Sequence, residues 1–404
     1  MKILQVNCVY RKGSTGKITH DLHKELLNVG IESVVCYGRG EAMKDSDVYK
    51  TCTEKYSKLN NALSRITGVM YGGCFFSTNK LISIIKRENP DIVHLQCING
   101  YFVNIYRLVN WLKKHHIKTV LTLHAEFMYT GGCGYSIDCD QWSTHVGCGH
   151  SGCPRWRSET KSLFFDRTKT MWEKMKIAFE GFENLKVISV SPWLMKRAKK
   201  STILGKFEHA VVFNGLDTSV FYKYDTEEMR SEFVLKKIIF HATPTFSLDK
   251  CHIKGGWYIC ELAKRMPEVQ FLVAGSYTEG IVVPNNVKTL GVITEQTMLA
   301  RYYSMADLTL LVSQRETFSM ICAESLCCGT PVVGFKAGAP EQIALNEFSE
   351  FVEYGDLDML ERTVRKWLEK DKNNEIADTA KCIYSKEVMT KHYLEIYDKL
   401  MQGC

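Results

Sequence analysis

No apolar run in the 404 residues approaches the roughly 18 uncharged positions that a membrane-spanning helix needs. The opening Met1-Lys2-Ile3-Leu4-Gln5-Val6 leads into a strand and has no signal-peptide core, so a cytoplasmic protein is expected. Strongly biased segments are lacking too. With 45% hydrophobic and 24% charged residues the chain is globular in composition, which excludes collagen-like or long disordered stretches. Two nucleotide-binding signatures are absent or broken. No G-x-G-x-x-G follows the first strand of either half, which removes the main support for a nicotinamide or flavin enzyme. Gly13-Ser14-Thr15-Gly16-Lys17 has two residues between its glycines where a Walker A loop has four, and it continues into Ile18, so ATP hydrolysis is set aside.

What is present is a repeated alternation. Short β-branched runs separated by helical patterns occur at Ile3 to Val9, Glu32 to Tyr37, Asp91 to Gln96, Thr119 to His124 and Lys186 to Val190. A second series follows at Lys237 to His241, Gln270 to Ala274, Asp307 to Val312 and Thr330 to Phe335. Runs apolar on both faces and spaced by helices predict α/β architecture: two Rossmann-like, doubly wound parallel-sheet domains. Such domains bind ligands beyond the carboxyl ends of their strands, so a central cleft between the two is expected. Val211 to Asp217 reads as a strand and turn opening the second domain. The expected division is 1–205, 206–384 and a terminal helical segment 385–404 that packs back on the first domain.

Charge divides along the same line. Residues 1–200 hold 30 Lys+Arg against 17 Asp+Glu, and the remainder holds 22 against 28. A basic first half suits an anionic surface or polymer. Three Asp-x-Asp triplets, at Asp45/Asp47, Asp138/Asp140 and Asp356/Asp358, follow no convincing strand and are read as solvated.

The strongest local signal runs from Arg315 to Val333. A strand ends near Ser313, a helix is expected from about Phe318 to Gly329, and Pro331 opens the next strand. The free N–H groups and positive dipole end of that helix can neutralise phosphate oxygens. Glu316 before the helix and Glu324 inside it are placed to accept hydrogen bonds from sugar hydroxyls.

These residues resemble the retaining glycosyltransferases of the group 1 type (family 4), whose architecture is GT-B. Glu316 to Glu324 followed by Cys-Gly-Thr-Pro-Val-Val resembles that family's E-x7-E element. The likeness extends, in order, through Gly13 and Gly16, Asp91 to His94, Thr122 to His124, Ser191 to Leu194, Asn214 to Asp217, Lys254-Gly255-Gly256 and Ala337 to Glu341. It implies that Glu324 holds the donor ribose and that Glu316 lies near the donor sugar's hydroxyls. The Phe318 and Ser319 amides would lie against the diphosphate, which Lys254 neutralises. Gly16 would approach the diphosphate from the first domain, and His124 the reacting carbon. An arginine usually precedes the lysine; here Lys250 or His252 stands nearest to that place. His94 is read as structural. No cofactor is implied for catalysis.

Cys133, Cys139, Cys148 and Cys153 lie in a glycine-rich insertion at about 130–155. Four thiols there fit a structural zinc, although the C-x2-C pairing of common zinc modules is missing; buried free thiols or a redox pair fit equally. The segment also resembles bacterial polysaccharide-building members of the family. In those an acid follows the histidine, whereas here Ala125 does, then Glu126. Arg155, Arg157, Lys161, Arg167, Lys169, Lys174 and Lys176 follow, interleaved with Trp156, Phe164, Phe165, Met171 and Trp172, a mixture suited to an anionic membrane at the inner face. The expected partners are a nucleotide-sugar donor and a glycan or lipid-linked acceptor. A small soluble acceptor is the first alternative. A basic nucleic-acid-binding module is the second, disfavoured by the joint presence of Lys254, Glu316 and Glu324.

Overall fold

A computed structural model describes residues 1–235 and 237–403; Lys236 and Cys404, which fall in the expected second domain and terminal segment, lie outside the described residues. The chain divides into two compact units. One is Met1–Val212 with the stretch from Met389 onward, and the other is Phe213–Val388.

The first unit is built on a seven-stranded sheet. Its strands are β1 (Lys2–Val9), β2 (Glu32–Arg39), β3 (Val48–Lys50), β4 (Ile92–Leu95), β5 (Thr119–Leu123), β6 (Leu185–Ser189) and β7 (Glu208–Val211), in the spatial order β3-β2-β1-β4-β5-β6-β7. Every pairing is parallel. The second unit carries β8 (Lys237–Phe246), β9 (Val269–Tyr277), β10 (Val287–Gly291), β11 (Leu308–Leu311), β12 (Val332–Phe335) and β13 (Ser349–Val352), ordered β10-β9-β8-β11-β12-β13, again all parallel. Central strands such as β4 and β12 are buried along their whole length, as a sheet covered by helices on both faces requires.

The strand expected to open the second domain does something else. β7 is hydrogen-bonded beside β6 and completes the first sheet, and the unit boundary falls after Val212. The edge strands β3, β10 and β13 are three to five residues long, too short for a sequence period to reveal them.

The last helix, Lys386–Gln402, passes from one unit into the other. Its Tyr397 hydroxyl meets His94 Nδ1 at 2.7 Å, and Thr122 Oγ1 meets His94 Nε2 at 2.8 Å. Tyr393 closes the cluster with its hydroxyl 3.0 Å from Thr122 Oγ1. Burial pushes the imidazole of His94 down to about 3, so it is neutral, donating to one of its two buried hydroxyl partners and accepting from the other. His94 is a clasp for the helix.

Candidate active site

The candidate residues fall in both units, and each set has its own local logic. In the second, Lys254 and Glu316 are locked together by neighbouring turns. A Cβ on Gly255, at φ +68°, would overlap the Val312 carbonyl oxygen, so only glycine lets the turn after Lys254 pass the end of β11. The Gln314 N–H donates to the Ile253 carbonyl at 2.8 Å, joining the same two turns. Lys254 Nζ thereby reaches Glu316 Oε1 at 2.6 Å, both side chains being mostly buried.

Glu316 is fixed from its other side too. Its N–H donates to the Ala337 carbonyl, and its own carbonyl accepts from Ala339. The Glu341 carboxylate accepts from the N–H groups of Ala337 and Gly338, at 3.0 Å each, and so holds this loop against Glu316.

The helix after Glu316 spans Met320–Cys327, two residues later than expected at its start. Ser319 is its N-cap. It takes φ +81°, rare for a residue with a side chain, and its Oγ accepts from the Cys322 N–H at 3.4 Å. The first-turn N–H groups therefore begin at Met320, and Phe318 sits before the cap with its ring buried 5.8 Å from that of Phe213. Glu324, half-buried two turns along, accepts from the Tyr303 hydroxyl at 3.1 Å. The negative field of Glu324 and burial together push the Tyr303 phenol far above its ordinary value, burial being the larger cause, so it stays a donor. Gly329, at φ +77°, ends the helix, and Thr330 Oγ1 donates to the Tyr303 carbonyl at 2.6 Å.

In the first unit, Gly13 and Gly16 do not form a loop, because both lie inside the helix Gly13–Asn28. A side chain at Gly16 would press within 3.1 Å of Val9 Cγ2 at the end of β1, so glycine brings helix and strand close. His124 follows β5 and its Nε2 lies 2.9 Å from Gln96 Oε1, just after β4. Burial pulls its imidazole down to about 4, so it is neutral at pH 7. Gly16, Gln96 and His124 all stand at carboxyl ends of parallel strands, where such sheets bind ligands.

A sequence profile of the family described as Glycosyl transferases group 1 matches residues 259–381, within the second unit. The putative colanic acid biosynthesis glycosyl transferase WcaC of Escherichia coli K12 is 22% identical, the match covering 99% of this chain and 100% of that one. The second unit thus resembles the group 1 glycosyltransferases over residues 259–381. N-acetyl-alpha-D-glucosaminyl L-malate synthase of Bacillus anthracis is 23% identical over 69% of this chain and 65% of its own. Among solved structures, sucrose-phosphate synthase from Thermosynechococcus elongatus superposes with a TM-score of 0.69 at 14% identity, covering 100% of both chains. Anabaena HepE in complex with UDP and glucose gives 0.65 at 14% identity, covering 99% of this chain and 100% of that one. The chain thus has the GT-B fold of these neighbours.

Two residues beside the candidate site groups were invisible in the sequence. Tyr303 is remote from Glu324 along the chain and carries no motif. His241, on β8, is buried beside Lys254; its Nδ1 lies 2.9 Å from the Leu310 carbonyl and its Nε2 has no hydrogen-bond partner among the described residues. Of the two residues expected near the missing arginine, Lys250 lies over the Trp257 ring, and His252 Nδ1 accepts from the Lys254 N–H at 3.4 Å.

The zinc expectation is corrected. Cys133, Cys139, Cys148 and Cys153 line one small cavity, but among the described residues no three His, Cys, Asp or Glu side chains are arranged to hold a metal ion. Burial drives the Cys148 thiol up to about 12 and those of Cys133 and Cys153 upward. The segment is ordered by other means. Glu126, fully buried, pairs with Arg197 Nε at 2.5 Å and accepts from the Tyr129 hydroxyl at 2.9 Å and the Ser136 N–H at 2.7 Å. Trp142 is buried under the Arg197 guanidinium. The acid displaced by Ala125 is thereby committed to structure.

Proposed function

We propose that the chain is a retaining, metal-independent transferase that moves a sugar from a nucleotide-sugar donor to a glycan or lipid-linked acceptor in bacterial surface polysaccharide synthesis. The observation that carries this reading is the Lys254–Glu316 contact beside the Ser319-capped helix. A cation, a carboxylate and helix first-turn N–H groups stand together where a diphosphate and a sugar hydroxyl can be bound at once. Entry of a diphosphate would draw Lys254 Nζ off Glu316 and free the carboxylate for the sugar.

In the reaction the bond from the anomeric carbon to the phosphate oxygen breaks and negative charge builds on the diphosphate. Lys254 and the first-turn amides at Met320 and Ile321 stabilise that charge, which is the largest electrostatic demand of the step. The acceptor hydroxyl attacks from the face the diphosphate leaves, and its proton passes to the departing phosphate oxygen. Glu324, oriented by Tyr303, holds the ribose. His124, neutral and aimed by Gln96, offers a hydrogen bond near the reacting carbon. The WcaC likeness supports a polysaccharide acceptor, and the Bacillus relative, whose name specifies L-malate, supports a small soluble acceptor as the second reading.

Thermal melting with uridine, guanosine and adenosine diphosphate sugars tests the donor. A ligand at a hundred times its Kd adds about 2.7 kcal/mol to the stability, so one nucleotide series should raise Tm clearly. Glu324→Ala should erase that rise. A rise that survives this substitution would show that the ribose binds elsewhere.

A further inference from the structure

The helix Glu54–Thr67 is turned inside out. It buries Ser57, Asn60 and Ser64 and exposes Leu59, Leu63 and Ile66, which share one face at i, i+4 and i+7. The orientation is pinned: Asn60 Oδ1 accepts from the Cys74 N–H at 2.7 Å and fills the space that a side chain on Gly73 would need, while Ser57 Oγ donates to the Gly100 carbonyl at 3.0 Å. The helix cannot roll its apolar face inward without breaking both contacts.

More apolar surface continues from each end. The Leu163 N–H donates to the Arg65 carbonyl at 2.8 Å, which fastens the turn Leu163-Phe164-Phe165 to the helix terminus, and Phe164 is 64% exposed. At the other end Phe76, 72% exposed, lies against Tyr56 with ring centroids 6.0 Å apart, and Phe75 is exposed beside it. The apolar residues of the basic segment thus divide: Phe164 and Phe165 face outward, whereas Met171 and Trp172 are buried in the core.

Cations edge this surface. Lys55, Lys58 and Arg65 are exposed on the same helix, and Arg167 lies over the Phe165 ring. Arg107 lies over the Phe75 ring and lines a cavity of about 430 Å³ with Lys174, its Nη1 without a hydrogen-bond partner among the described residues. Glu54, the acid of the helix, is already held by Arg39 and the Gly40 N–H.

We propose that this face docks on an anionic phospholipid bilayer. Leu59, Leu63, Ile66, Phe76 and Phe164 enter the boundary between headgroups and acyl chains, and the surrounding lysines and arginines take the lipid phosphates, with Arg107 and Lys174 receiving one in their cavity. Apolar burial and charge attraction act together in this mode, and the charge complementarity selects a bilayer over an apolar protein partner. The proposal adds a partner to the acceptor side and is independent of the donor chemistry.

The test is sedimentation of the full chain with phosphatidylcholine vesicles, with and without phosphatidylglycerol, at low and high salt. The protein should pellet with the anionic vesicles at low salt, and less at high salt. Phe164→Asp and Leu63→Asp, made separately, should each weaken partitioning at least about tenfold. Each variant should keep its Tm and its response to nucleotide-sugars, which separates failure here from failure of the donor reading. Two variants guard against a fold defect in either. Absence of pelleting at low salt, pelleting unchanged by both substitutions, or a solution dimer that either substitution dissociates would each overturn the proposal, the last by showing a second copy on this face.

Discussion

Gly255, Ser319 and Tyr303 each hold a candidate site group in place through backbone space or a single hydrogen bond. Gly255→Ala would force its methyl group into the Val312 carbonyl at a positive φ, and should lower stability by about 1–3 kcal/mol while loosening Lys254, seen as a fall in both Tm and turnover. Lys254→Ala should reduce kcat on the order of a hundredfold or more with a smaller change in KM, because its charge is needed most as the diphosphate departs. A raised KM with kcat unchanged would assign Lys254 to ground-state binding. Tyr303→Phe should weaken the donor less than Glu324→Ala does, since it removes one neutral donor and leaves the carboxylate. Glu316 and Glu324 were legible as candidates because their spacing in the chain is itself the motif, and Lys254 because a glycine pair follows it. Tyr303 and His241 were not, because only sheet and helix packing brings them to Glu324 and Lys254.

At the level of elements, the C-terminal helix is the most pH-sensitive feature. His94 titrates near 3 in the fold against an ordinary value of 6.5, so its folded pKa is depressed for a base. Above pH 6.5 neither state takes the proton and nothing is lost. Below it the unfolded chain binds a proton that the folded chain refuses, and stability falls as pH drops towards about 3, at up to about 1.4 kcal/mol per pH unit. Tm should therefore decline on acidification from pH 7 to 5, and His94→Gln should flatten that decline while lowering Tm at neutral pH; an unchanged slope would remove His94 from the account. His124 and His241, each near 4, add to the slope in the same sense. The helix at Met320 shows where element boundaries escape a sequence reading. Apolar pattern places it within two residues, but the left-handed Ser319 that fixes its start depends on the turn from Glu316, held by Ala337, Ala339 and Glu341.

Across the whole molecule the charge is uneven, with the excess of Lys+Arg in residues 1–200 and an acidic remainder. Vesicle binding should accordingly fall with ionic strength over the range where the Debye length shortens from about 30 to 10 Å, whereas the rise in Tm from a nucleotide-sugar should change far less. Among the described residues no helix is long and apolar enough to cross a membrane. The sequence by itself determined the two parallel α/β domains, because buried strands and amphipathic helices write periods of two and 3.6 into it, and it singled out Glu316 and Glu324 as candidates, because they are close in the chain. Tertiary structure alone decided the assignment of β7 to the first sheet, the burial of Glu126 against Arg197, the His94 clasp, the protonated thiols and the outward apolar helix. Each of these rests on partners far apart along the chain, and burial, which sets whether a group is charged or an apolar face is covered, belongs to the packed molecule.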